Sequence, residues 1–213
     1  MQSTILETIS ATSLFVAEIS DGEAKTGGGV KVHKWTRKEY YQMAELGFFH
    51  GKRVELIEGE IIEMSPMKTA HATALSLAIL ILTEIFSKGF VVRAQLPMTF
   101  GKTNEPEPDV AIIKGSVRDF SISHPKTAEL IVEVSDSTLR YDRTVKAGLY
   151  AQNKTPEYWI LNLKNRSLEV YRQPKKDKKL GFIYTEIQIL TEDDAVSPLA
   201  APAAKIKIAD LLP

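Results

Sequence analysis

The stretch AELIVEVSDS, residues 128–137, is the most informative part of the chain. Its apolar residues follow one another without strict alternation, which is typical of a strand buried on both faces in the middle of a sheet. Glu133 lies in the middle of this stretch, and burying a carboxylate is costly unless its charge is compensated. A metal ion, a lysine or arginine, or a set of hydrogen-bond donors would each supply that compensation.

The composition is that of one globular domain. The chain has 213 residues, of which 44% are hydrophobic and 25% are charged, enough for a core and a soluble surface. It has no cysteine, which excludes disulfides, thiolate metal sites and cysteine nucleophiles and fits a cytosolic protein. No apolar run approaches the length of a membrane span, and the N-terminus lacks the pattern of a signal peptide. We therefore expect a cytoplasmic protein with no membrane partner.

The charges balance, with 27 basic and 27 acidic residues. A protein that holds nucleic acid mainly by its overall charge is usually basic. Any binding of nucleic acid by this chain must therefore be local or assisted by a metal ion. The stretch KVHKWTRK, residues 31–38, is the best local candidate for contact with a phosphate backbone, although such runs are usually only solvated surface.

The pattern along the chain predicts a tail followed by a single domain. Residues 1–30 are rich in small and polar residues and include three consecutive glycines, which predicts a flexible N-terminal tail or arm. Residues 31–213 are expected to form one domain. It opens with a helix from Thr36, which forms a capping-box pattern with Glu39, and a β-hairpin follows in residues 53–66.

The rest of the domain alternates between helical and strand patterns. Apolar residues recur at helical spacing over residues 69–87, which predicts a second helix, and a third helix is expected at about 141–152. Strands are predicted in residues 90–100, 108–115, 128–137, 157–162, 167–173 and 182–190. The basic run PKKDKK, residues 174–179, is predicted to be a solvated hairpin tip. This order predicts a mixed α/β domain with a sheet at its centre.

Several polar residues in these elements are candidates for a site. Glu55 lies in the predicted hairpin, Asp109 follows Pro108 at the start of a strand, and Glu133 lies in a buried strand. Asp142 and Lys146 are four residues apart and so share one face of a helix, although this spacing also suits a surface ion pair.

Asp109 and Glu133 lie on strands that both have central character. Two carboxylates on adjacent strands repel each other, so one must be protonated or a cation must lie between them. Oxygen ligands and the absence of cysteine favour a hard ion, Mg²⁺ or Mn²⁺. A neighbouring lysine would complete a set of groups suited to hydrolysis of a phosphodiester. Alternatively, Glu133 is neutralised by a structural lysine or arginine, and Asp109 only caps a turn.

Beyond these groups, several motifs resemble a bacterial family named as "putative restriction endonucleases", within the PD-(D/E)XK nuclease superfamily. The resemblance covers about residues 35–212 and is carried by VELIEGEIIEMSP, His71, EPDVAII and LIVEVSDSTLRYDRTVKAGLYAQNKTPEYWILN. It implies a restriction-endonuclease-like core, in which helices flank a mixed sheet of about four central strands. Here the core would be elaborated with an N-terminal β-hairpin and C-terminal strands.

The resemblance also implies roles for individual residues. Asp109, preceded by Pro108, matches the motif aspartate, and Glu133 matches the acidic residue of the second half of the motif. The superfamily pattern places a lysine two residues after that acid, where this chain has Ser135. The family places the lysine on the following helix instead, which matches Lys146. Glu55 matches the upstream acidic position.

The predicted function is metal-dependent endonuclease activity on nucleic acid, with DNA as the expected substrate. Asp109, Glu133 and the backbone carbonyl of Val134 would hold Mg²⁺ or Mn²⁺, and Lys146 would position the attacking water. His71 and Asp142 are further candidates, although each has an ordinary structural explanation. The alternative is an inactive module of nuclease fold that binds nucleic acid or a protein. Because superfamily nucleases often pair to cut both strands, a homodimer is also expected.

Overall fold

The computed structural model describes residues 31–213, so the predicted tail of residues 1–30 lies outside the described residues. The helices are α1 (Arg37–Glu45), α2 (Thr69–Ile85) and α3 (residues 139–152). The strands are β1 (Val54–Ile57), β2 (Glu60–Glu63), β3 (Phe90–Ala94), β4 (Val110–Lys114), β5 (Leu130–Ser135), β6 (Glu157–Asn162), β7 (Ser167–Asp177), β8 (Gly181–Thr191), β9 (Ala195–Val196) and β10 (Ile206–Lys207). Short 3₁₀ helices cover Val117–Phe120 and Ile208–Leu211.

The N-terminal part of the described chain confirms the expected local signals. Thr36 caps α1, and Glu39 returns its side chain to the Thr36 amide at 2.8 Å, which completes the capping box. Strands β1 and β2 form the predicted antiparallel hairpin. Its turn uses positive φ angles at Glu58 and Gly59, a conformation that suits a two-residue hairpin connection.

A six-stranded sheet forms the centre of the fold, in the order β3-β4-β5-β6-β7-β8. All neighbouring strands are antiparallel except β5 and β6, which are parallel because α3 connects them. Strands β3 to β6 provide the expected four central strands, and the predicted C-terminal strands β7 and β8 extend the same sheet. The mixed α+β class, the added hairpin and the C-terminal strands are confirmed.

Two strands differ in extent from the sequence prediction. The run 174–179 is not simply a solvated tip, because β7 continues through Asp177 by pairing with β8. Strand β3 ends at Ala94 and not near residue 100, because Gln95 takes a positive φ of 50° and turns the chain away from the sheet. The Gln95 amide then donates to the carbonyl oxygens of Pro108 and Asp109.

Each face of the sheet is covered by one helix and holds its own core. Strand residues Leu130, Val132 and Val134 pack with α2, whereas Ile131 packs with α3. Successive side chains of a strand point to opposite faces, so Glu133 lies on the α3 side. The apolar sequence of β5 is therefore explained by burial on both faces. No helix within residues 31–213 combines the length and hydropathy needed to cross a bilayer.

Candidate active site

A cavity of about 210 Å³ opens where the hairpin, the starts of α2 and β4, the end of β5 and α3 meet. It is lined by all the residues that the sequence analysis assigned to the site: Glu55, His71, Asp109, Glu133, Val134, Asp142 and Lys146. The structure thus brings together side chains from five separate segments of the chain.

The pairing of β4 with β5 brings the two motif carboxylates together. Val110 is opposite Val132 in this antiparallel register, so Asp109 is next to Glu133. The Asp109 amide donates to Glu133 Oε2 at 3.4 Å, and the Val134 amide donates to Asp109 Oδ2 at 2.8 Å. Sequence patterns indicated that both strands are central, and the register decides that these two residues meet.

Asp109 is buried but favours its ionised form. His71 Nε2 lies 3.2 Å from Oδ1, and the Gln95 side-chain amide donates to the same oxygen at 3.1 Å. Burial alone would raise the pKa of Asp109. The hydrogen bond and charge of His71, together with the Val134 amide and Gln95, outweigh burial and lower that pKa below its usual value.

Glu133 is also buried and has the opposite electrostatic character. Its Oε1 accepts hydrogen bonds from the Tyr150 hydroxyl at 2.6 Å and from Lys146 Nζ at 3.1 Å. Burial is the largest effect on its pKa, and the negative charges of Asp109, Asp142 and Glu55 add to it. These effects exceed the stabilising charge of Lys146 and raise the pKa of Glu133 to about 8.

Glu55 reaches the cavity because the hairpin is anchored to the chain before β4. Leu56 and Glu105 exchange backbone hydrogen bonds, and the Glu107 amide donates to Glu55 Oε2 at 3.2 Å. Glu55 Oε1 then lies 3.4 Å from Lys146 Nζ. The predicted upstream carboxylate is therefore within the same ionic cluster as Glu133.

Lys146 is the centre of this cluster. It belongs to a π-helical turn in α3, Asp142–Lys146, and such turns occur frequently at functional sites. Burial disfavours its charge, but Glu133, Glu55, Asp142 and Asp109 outweigh burial and raise the pKa of Lys146 well above its usual value. The lysine therefore stays protonated, and we assign the uptake of a proton near neutral pH to Glu133.

Asp142 is not at the N-terminus of its helix, although the predicted start of that helix near residue 141 would place it there. The helical segment begins at Leu139, and Asp142 is buried against the cavity, where Thr138 donates to it at 2.6 Å. Burial raises the pKa of Asp142 despite the opposing effects of Lys146 and Thr138. Ser135, at the motif lysine position, is buried at the end of β5 opposite Asn162 and does not line the cavity.

Two residues whose side chains contact the motif carboxylates, Asp109 and Glu133, were missed by the sequence analysis. Tyr150 follows Lys146 by four residues, so helical spacing could have placed it on the same face. Gln95 had no such signal, because its approach to Asp109 depends on the turn after β3. The basic stretch 31–38 contributes nothing to the cavity lining: Lys34 pairs with Glu60 at 2.6 Å, and Arg37 pairs with buried Glu105 at 2.7 Å.

The charge balance of the cavity suits a hard cation. The cavity has one buried lysine, Lys146, and four buried carboxylates: Glu55, Asp109, Glu133 and Asp142. Glu133 reduces the excess of negative charge by favouring its protonated form. Within residues 31–213, no three acidic or histidine side chains form a preassembled metal-ligand group. The lining is compatible with a hard cation such as Mg²⁺, which retains several waters and needs only one or two carboxylates.

Comparison with known proteins identifies the family of the chain. Residues 37–209 match the model of the family described as "Uma2: Putative restriction endonuclease". The chain belongs to the Uma2 family. No curated protein matches the chain.

A solved structure shows the same fold as this Uma2 member. It is described as a "putative nuclease belonging to DUF820 from Anabaena variabilis ATCC 29413". The match has a TM-score of 0.60 and 17% sequence identity, and it covers 75% of this chain and 89% of that chain. Membership of a nuclease-like family implies a nucleic-acid substrate, and restriction-endonuclease-like families generally use divalent metal ions.

Proposed function

We propose that the chain is a metal-dependent endonuclease that hydrolyses phosphodiester bonds of nucleic acid, with DNA as the expected substrate. One observation carries this proposal. The Lys146 amine lies 3.1 Å from Glu133 and 3.4 Å from Glu55, inside the cavity that Asp109 also lines. This position of Lys146 on α3 supports the proposal that it takes the role of the lysine that is absent from the motif position, Ser135.

Asp109, Glu133 and the backbone carbonyl of Val134 are the proposed ligands for Mg²⁺ or Mn²⁺. The low pKa of Asp109 keeps one carboxylate ionised, and a divalent cation would replace the proton that Glu133 favours without it. When bound, the ion supplies positive charge that offsets the carboxylates and the charge that develops on the phosphoryl group.

The protein side chains have complementary roles in the proposal. The protonated Lys146 amine donates hydrogen bonds that orient the attacking water and stabilise negative charge on the phosphate. Glu55 holds the other side of that amine, and Tyr150 holds the Glu133 carboxylate in position. His71 and Gln95 orient Asp109 by the same kind of contact. Asp142 adds negative charge near Lys146, which keeps the amine protonated.

The domain organisation and assembly belong to the same proposal. Residues 31–213 would act as a single catalytic domain in the cytoplasm. Two paired sites can cut both strands of a duplex in one binding event, so a homodimer is proposed. Light scattering after size-exclusion chromatography, with and without DNA, would measure the assembly, and a monomer under both conditions would contradict the dimer.

Cleavage assays test the function directly. Supercoiled plasmid and single-stranded DNA would be incubated with the wild type in Mg²⁺, in Mn²⁺ and in EDTA. We expect cleavage with either ion, no cleavage in EDTA, and loss of cleavage in Asp109→Asn. An inactive but folded wild type that still binds DNA would favour the non-cutting module instead.

A further inference from the structure

Two exposed cations line the cavity in addition to buried Lys146. We call Arg53 and Lys68 the rim cations, because their side chains are 48% and 71% exposed whereas that of Lys146 is 8% exposed. Lys146 is held between two buried acids, so it has little freedom to follow an extended ligand. The exposed side chains of the rim cations can move to follow such a ligand.

Arg53 is connected to Asp109 through Gln95. Its guanidinium lies 3.2 Å from Glu107 and donates to the Gln95 side-chain oxygen at 3.4 Å. The amide nitrogen of the same Gln95 side chain contacts Asp109 at 3.1 Å. Arg53 is therefore one side chain away from a proposed metal ligand, although the sequence analysis did not select it.

Lys68 lies next to a different element that contacts Asp109. It immediately precedes α2 and pairs with Asp136 at 2.8 Å, and His71 in the first turn of α2 contacts Asp109. Helix α2 begins without a side-chain cap and without an acidic residue in its first turn. The positive end of its dipole is thus left uncompensated by side chains and adds to the charge of Lys68.

Both rim cations are in ion pairs that a phosphate can replace. Solvent-exposed ion pairs contribute little to stability, because solvent screens the charges and ordering the side chains costs entropy. A nucleic-acid phosphate offers charged acceptor oxygens to the same donors and releases condensed counterions when it binds. Replacing Glu107 and Asp136 by phosphates as the partners of Arg53 and Lys68 therefore costs little free energy.

We propose that Arg53 and Lys68 bind the backbone phosphates that flank the scissile phosphodiester, so that one strand lies across the mouth of the cavity. This inference rests on the proposed function. The rim cations act as positioning residues: they align the strand, and they do not touch the reacting atoms. When no strand is bound, Glu107 and Asp136 are the acidic partners of Arg53 and Lys68, in place of the phosphates.

The test measures DNA binding as a function of salt. A short fluorescein-labelled duplex and its single strand would be titrated by anisotropy in Ca²⁺, with the probe checked for integrity afterwards. Arg53→Gln and Lys68→Gln are each expected to weaken binding and to reduce the slope of log K against log salt by about 0.7–0.9, the value for one lost phosphate contact.

The chain offers a matched control for each variant. Lys114 is 70% exposed and pairs with Glu129 at 3.3 Å, but it lies at the end of β4 away from Asp109. Arg166 is 47% exposed and pairs with Glu192 at 2.6 Å, outside the cavity. Lys114→Gln and Arg166→Gln remove the same charge from a similar environment, so we expect them to leave the affinity and the salt slope unchanged.

A variant that is expected to strengthen DNA binding distinguishes phosphate binding by Lys68 from a purely structural role. Asp136→Asn frees Lys68 from its competitor, so it should strengthen DNA binding, whereas Glu129→Gln should have no effect. If wild type binds and cuts DNA but the rim variants behave like their controls, the inference is overturned and the proposed function stands. If the folded wild type neither binds nor cuts DNA, both are overturned.

Discussion

The Lys146 amine lies 3.1 Å from the Glu133 carboxylate, although the two residues are 13 positions apart on different elements. Glu133 is fixed on a central strand, and Lys146 projects from the π-helical turn that packs on the same face. This contact accounts for the carboxylate in an otherwise apolar strand. It also shows how a lysine outside the motif position reaches the motif acid.

Replacement of Lys146 tests its catalytic role. Lys146→Met keeps the length of the side chain and removes the donor, so cleavage should fall by about 100-fold or more, as for loss of one oxyanion donor. DNA binding in Ca²⁺ should persist, because the amine is buried away from the rim. Lys114→Met is the control. A folded Lys146→Met protein that cuts at the wild-type rate would make Lys146 a structural partner only.

Calorimetry tests the metal ligands independently of activity. Mg²⁺ and Mn²⁺ should bind to the wild type, and Glu133→Gln should weaken or abolish this binding, because the amide lacks the charge that holds a hard cation. Glu169→Gln is a suitable control: Glu169 is buried but is paired with Arg143 outside the cavity. Equal metal affinity in wild type and Glu133→Gln would contradict the assignment.

Tyr150 and Tyr41 form a matched pair for separating stability from function. Each donates from its hydroxyl to a buried carboxylate at 2.6 Å, Tyr150 to Glu133 and Tyr41 to Glu105. Each change to phenylalanine should lower the free energy of unfolding by about 1–2 kcal/mol. Only Tyr150→Phe should also reduce cleavage, by about tenfold if positioning costs 1.4 kcal/mol in the transition state. Equal cleavage by both variants would show that the Tyr150 contact is structural.

The raised pKa of Glu133 predicts a pH dependence of stability without added metal. Its pKa rises from 4.5 to about 8 on folding, so the folded state retains a proton that the unfolded state releases in this range. The stability contribution is complete below pH 4.5 and is lost as the pH rises through 8. At about 1.4 kcal/mol per pKa unit, the loss is on the order of a few kcal/mol.

Urea unfolding followed by circular dichroism between pH 4.5 and 8 would measure this effect. Glu133→Gln should show a flatter profile than the wild type. Asp142, whose pKa is also raised, contributes a decline of the same sign that remains in the variant. Asp109 and Lys146 have pKa shifts in the directions that keep them charged across this range. Identical profiles would refute the proton uptake by Glu133.

Local patterns predicted much of the fold because their physical causes are local. The capping box at Thr36, the turn at Glu58 and Gly59, and the strand-like run around Glu133 depend on residues a few positions apart. The predicted end of β7 was wrong, because pairing with β8 keeps residues 174–177 in the strand despite their polar sequence. The predicted end of β3 was also wrong, because the strand ends where one residue, Gln95, takes a positive φ angle.

The sequence by itself determined the α+β class, the family resemblance and which carboxylates to consider. Only the tertiary structure decided that these groups meet. The register of β4 on β5 aligns Asp109 with Glu133, and the packing of α3 brings in Lys146 and Tyr150. The physical reason is distance along the chain: local pattern sets the face on which a side chain lies, whereas its partners depend on how separate elements pack.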